Sequence, residues 1–103
     1  MRTHGKVDLN QGEIVKALEA IGCTVQSLAS IGGGCPDLLV GFQGRNFVLE
    51  VKGILCFPNE NQTEWIAWWR GQVSVVHTVD EALEAIGAWG SYSVPKKKAR
   101  KTT

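Results

Sequence analysis

No stretch of these 103 residues approaches the roughly 18 consecutive apolar residues that span a bilayer. No signal-peptide pattern of basic, apolar and small residues opens the chain. The expectation is therefore an intracellular, cytoplasmic protein. Cysteine is scarce: Cys23, Cys35 and Cys56 are widely spaced and form no CxxC pair. That argues against a zinc site or a disulfide framework and suits a reducing compartment. A nucleophilic Cys35 would need a partner, and the sequence points to none in His4 or His77, so a small buried thiol is the commoner reading. Internal repeats and interdomain linkers are missing too, which leaves one compact domain. At this size a single core is possible but not generous, and a dimer would help it.

The apolar share is 44% and the mean hydropathy is −0.05, the composition of a folded globular chain. A formal charge of +1 conceals an asymmetry. Residues 95–103 (PKKKARKTT) carry five basic residues and no acid, whereas the first 94 hold six Lys or Arg against ten Asp or Glu. Residues 91–103 read as a basic, disordered tail. A phosphate-binding arm whose grip fades with salt is the functional alternative. Residues 1–9 read as a loose lead-in and 10–90 as the domain.

Within the domain, Asn10 and Glu13 have the spacing of a capping box for a helix over 11–21, with Ile14, Ala17, Leu18 and Ile21 as its apolar stripe and Gly22 as its stop. Cys23–Ala29 reads as a strand, and Gly32-Gly33-Gly34 as a loop where a turn or close approach of a phosphate backbone would need glycine. Leu38–Val40 and Phe47–Val51 are β-rich runs around a Gln43-Gly44 turn. A helix over Asn61–Arg70, closed by Gly71, follows, then a strand over Val73–His77. A last helix is capped by Thr78 with Glu81, runs through Ile86 and stops at Gly87. The order helix, three strands, helix, strand, helix implies an α/β domain with a mixed sheet. Trp65 and Trp69 share a helical face with Ile66 and are expected in the core. Trp68 points elsewhere, either to stack on a base or to fill a partner subunit's pocket.

If Gln43 and Gly44 are the two central residues of the turn, Asp37 falls opposite Glu50 and Leu39 opposite Val48. Opposed residues share a face with β-carbons roughly 4.5–5.5 Å apart, and Lys52 lies on that face too because side chains alternate. Two adjacent carboxylates either raise a pKa or recruit a cation. Hard oxygen donors suit Mg²⁺ or Mn²⁺, and such an ion beside a lysine can activate water against a phosphodiester. A cross-strand salt bridge is the plainer reading of the same three residues.

Gly34-Cys35-Pro36-Asp37 followed by Leu49-Glu50-Val51-Lys52 resembles the signature of PD-(D/E)xK nucleases. The phrase from Gly34 to Gly41, the later Gln62 and Trp65, and the run Val75–Leu83 are similar to the VRR-NUC branch, over roughly residues 8–87. The resemblance implies a restriction-endonuclease-like αβββαβ core with a mixed sheet flanked by helices. It implies Asp37 and Glu50 as metal ligands with the Val51 carbonyl, and Lys52 as the catalytic lysine. Glu13 falls where the family often places a helix carboxylate near the metal, an alternative to its capping role. Gln62 matches a glutamine that faces the active site in relatives; a solvated helix position is the alternative. The segment 53–58 is apolar where relatives tend to be polar, and Asn59-Glu60-Asn61 replaces a Thr-Pro-type start. The activity implied is Mg²⁺- or Mn²⁺-dependent DNA cleavage by a homodimer, selective for branched DNA such as four-way (Holliday) junctions, and the stand-alone form suits a phage or bacterial protein. The competing reading is a catalytically inactive DNA-binding module or an accessory subunit of a replication or repair complex.

Overall fold

The Gln43-Gly44 turn sets the sheet. Both residues have positive φ, 52° and 79°, as a two-residue type I′ hairpin requires, and its twist matches that of the flanking strands. The computed structural model describes residues 3–88, with side chains from Asn10 onward. Its elements are α1 (Thr3–Ala20), β1 (Thr24–Ser27), β2 (Leu38–Phe42), β3 (Arg45–Val51), α2 (Glu60–Trp68), β4 (Ser74–Val76) and α3 (Val79–Ala85). Trp89 and the basic tail of 91–103 lie outside the described residues.

The four strands form one mixed sheet in the order β1-β2-β3-β4. The first two pairings are antiparallel, and β3 and β4 run parallel with α2 as the crossover between them. The architecture is therefore the mixed αβββαβ core expected from the element order, with α3 after it. In the central hairpin Leu38 pairs with Leu49 and Leu39 with Val48, the register anticipated from the turn.

The core lies on one face of the sheet. Ile14 and Leu18 of α1 and Leu83 and Ile86 of α3 are buried against Leu38, Val40, Leu49, Val51 and Val76. Burying side chains of this size stabilises by about 1.5–3 kcal/mol each. The second face carries the alternate residues, Leu39, Val48 and Glu50 among them, and is only partly covered. Among the described residues no helix is long and apolar enough to cross a membrane.

Three expectations need correction. The first helix begins at Thr3, inside the segment read as a loose lead-in, so Asn10 and Glu13 are interior positions of α1 and form no capping box. Asn10 has a tertiary partner instead: its Nδ2 donates to the Lys52 carbonyl at 2.9 Å. Second, α2 ends at Trp68 rather than Arg70. Trp69 leaves the helical region (φ −70°, ψ 128°), and its indole Nε1 donates to the Gln72 carbonyl at 3.1 Å. Third, the tryptophans of α2 are not core. The helix has no buried residue; Trp65 and Trp69 stack on each other with centroids 4.8 Å apart, and Trp68 is 66% exposed.

The last helix follows its sequence signals closely. Thr78 Oγ1 accepts from the Glu81 amide at 3.1 Å, and Gly87, at φ 78°, ends it. Glu81 reaches one residue further back than a capping box would, to the His77 amide at 2.7 Å.

Candidate active site

Asp37 is the last residue before β2, one step beyond the Leu38–Leu49 pair, which sets it opposite Glu50. Its backbone carbonyl accepts from Leu28 at 2.7 Å. Its carboxylate Oδ2 accepts from the Val51 amide at 2.8 Å, so the side chain replaces a ladder bond at the strand end. Lys52 continues β3 by one residue, its amide donating to the Val76 carbonyl at 3.0 Å. With Asn10 on the Lys52 carbonyl, that peptide is tied to both α1 and β4. Sequence reasoning missed Asn10 as a support because its partner is 42 residues away.

The structure brings Asp37, Glu50 and Lys52 together. Lys52 Nζ lies 3.5 Å from Glu50 Oε2. Glu50 is 1% exposed, the one buried charged side chain among the described residues, and its Oε1 is buried with no hydrogen-bond partner. Burial, then the Asp37 charge, pushes the Glu50 carboxyl up to about 7, with Lys52 pulling the other way. Burial also raises Asp37, against the Val51 amide and the Lys52 charge. A salt bridge alone explains this poorly, since one lysine faces a buried acid and a half-buried one, and an oxygen of the buried acid has no partner among the described residues.

That donor set fits a small divalent cation. The orphaned Glu50 oxygen and the Asp37 carboxylate are hard, anionic and desolvated, and a cation would offset both burial and mutual repulsion. Among the described residues no group of three His, Cys, Asp or Glu gathers here. Two side chains thus leave the remaining positions to a backbone carbonyl, water or substrate oxygen, the coordination habit of Mg²⁺.

The other residues singled out from sequence are placed as follows. Glu13 is exposed on α1 and joins no cluster with Asp37 and Glu50. Gln62 begins α2 as the third residue of a capping box: its Oε1 accepts from the Asn59 amide (2.8 Å), and its own amide donates to Asn59 Oδ1 (2.9 Å). Among the described residues no hydrogen bond joins it to the acids or to Lys52. Gly34, at φ 85°, packs so closely on α2 that a Cβ would collide with the Asn61 carbonyl. Its smallness therefore seats a helix, a role different from admitting a phosphate. Cys35 has its thiol pushed up by burial and by Glu50 and Asp37, which favours the inert protonated form over a nucleophile.

No protein-family model matches the sequence, and no curated protein matches it either. Among solved structures, one titled "VRR_NUC domain" is similar at 27% identity with a TM-score of 0.63. The match covers 79% of this chain and 94% of that one.

Proposed function

This chain has the VRR-NUC fold, that of a nuclease-type domain, and we propose that it is a Mg²⁺- or Mn²⁺-dependent deoxyribonuclease acting on branched DNA in the cytoplasm of a bacterial or phage-infected cell. The observation that carries the reading is the buried Glu50 Oε1, left without a partner beside Asp37 and Lys52. Asp37, Glu50 and the Val51 carbonyl would hold the ion. When bound, it supplies an acidified water and draws charge from the phosphate. The protein's own groups do the rest. Burial shields Glu50 from competing water, and the Val51 amide fixes the rotamer of the half-buried Asp37. Lys52, partly exposed at 18%, holds a cation where charge grows on the phosphoryl oxygens.

Lys52→Ala should therefore lower cutting about 10²–10³-fold, the usual effect of deleting one charge-stabilising donor. The assay is supercoiled plasmid and a synthetic four-way junction with Mn²⁺, with EDTA, and with the variant. Cutting is expected only from intact protein with metal. Junction binding without cutting in any arm would mean an inactive DNA-binding module.

The proposed assembly is a homodimer built on α2. Among the described residues α2 buries no side chain, Trp65 stacks on Trp69 just past the helix end, and Trp68 is exposed, so a second copy would supply cover for this aromatic face. A two-fold dimer also presents two sites to the two strands of a branched substrate. Trp68→Ala should convert the dimer to monomer at micromolar concentration in sedimentation, with the fold unchanged because that side chain is exposed. A wild-type monomer in the same run would remove the dimer.

A further inference from the structure

Three large apolar side chains beside the site find no cover among the described residues. Ile54, Leu55 and Phe57 are 63%, 86% and 76% exposed, on the loop that begins one residue after Lys52. The loop has a defined shape: the Cys56 amide donates to the Gly53 carbonyl at 2.9 Å. Leu55 sits at φ 70°, a left-handed conformation that a bulky residue adopts only at a cost.

His77 anchors this loop to α3. Its Nε2 lies 3.0 Å from the Cys56 carbonyl oxygen and its Nδ1 3.0 Å from Glu81 Oε1. Both oxygens accept, so the two contacts favour the doubly protonated ring and raise the His77 pKa above its ordinary value. The β3–β4 register pairs Val51 with Val76, and continuing it by one residue sets His77 beside Lys52. An open cleft lined by Ile54, Leu55, Phe57, His77 and Glu81 therefore adjoins the catalytic lysine.

We infer that this cleft is a subsite for one unpaired nucleobase of the DNA, next to the phosphate held at Lys52; the inference rests on the nuclease reading above. A base has two apolar faces and a polar edge. The cleft offers the same division, Phe57 and its two aliphatic neighbours against His77 and Glu81. Among the described residues the side-chain hydrogen bonds of Glu81 use Oε1, leaving Oε2 to accept from a base amino group. The charge pattern selects a base over a phosphate here. Glu81 and Glu84 put two carboxylates at this end, so the phosphate belongs at the Lys52 end. Only an unstacked base exposes its faces, which links the cleft to branch points.

The test uses the full chain with Ca²⁺ in place of Mn²⁺, and two duplexes identical except for one extrahelical 2-aminopurine. Wild type should bind the bulged duplex more tightly and quench the probe. Phe57→Ala, and separately Leu55→Ser, should erase about tenfold of that preference, the scale of one lost base stack, while the metal-induced thermal shift stays unchanged. Equal binding of both duplexes by wild type, or both variants keeping the preference, overturns the inference. So does Phe57→Ala producing monomer while the preference survives, because the patch is then a protein interface. Wild type that binds neither duplex sinks the nuclease reading itself, and the subsite with it.

Discussion

Glu50→Gln is expected to make the metal-free protein more stable at pH 8 while abolishing cutting. Glu50 titrates at about 7 in the fold against an ordinary 4.5, chiefly because of burial. A carboxyl raised in this way favours folding when protonated. Its contribution is complete below about pH 4.5, declines as the pH climbs, and is gone above about 7. At pH 8 the folded state therefore carries an ionised, desolvated acid at a cost of about 3 kcal/mol. Glutamine keeps the shape and removes the charge, and it also gives up the 3.5 Å contact with Lys52. The net gain should still raise the melting temperature by several degrees, since about 1 kcal/mol moves a domain of this size by roughly 4–8 °C. The difference should vanish near pH 4.5. Cutting should fall at least about 10²-fold. A variant less stable than wild type at pH 8 would show that Glu50 is not strained and remove the reason to place a cation there.

Such a site was legible in the sequence to the extent that local chemistry determines it. Gln43-Gly44 supports one tight turn, that turn dictates the register, and the register brings Asp37 to Glu50. The core stripe of Ile14 and Leu18 was readable for a similar reason, because a 3.6-residue period survives in one dimension. Long-range partners were not readable. Asn10 has the composition of a cap, yet it lies inside α1 because the helix continues upstream and the Lys52 carbonyl lies within its reach. Gln62 has the position of an active-site residue, yet Asn59 takes its side-chain oxygen for the helix start. The tryptophans mislead for a deeper reason. An apolar face at helical spacing says that something must be covered; it does not say that the cover comes from the same chain.

Mn²⁺ should stabilise the protein in a way that depends steeply on pH, and this follows from the same carboxylate. A cation at Asp37 and Glu50 must displace whatever proton they share. Glu50 is ionised above about 7 and largely protonated below it, so each further pH unit down lowers metal affinity about tenfold. Between pH 8 and pH 5.5 the loss comes to about thirtyfold. Asp37, also raised by burial, adds to the loss at lower pH. Ligand binding to the folded state stabilises in proportion to the logarithm of ligand concentration over Kd. At one fixed Mn²⁺ concentration the thermal shift should be large at pH 8 and small at pH 5.5, and EDTA should abolish it at both. Glu50→Gln should show neither the shift nor its pH dependence, whereas Lys52→Ala should keep both, because it removes a neighbour and no ligand. A thermal shift equal at the two pH values, or one that persists in Glu50→Gln, would put the cation somewhere other than between these two strands.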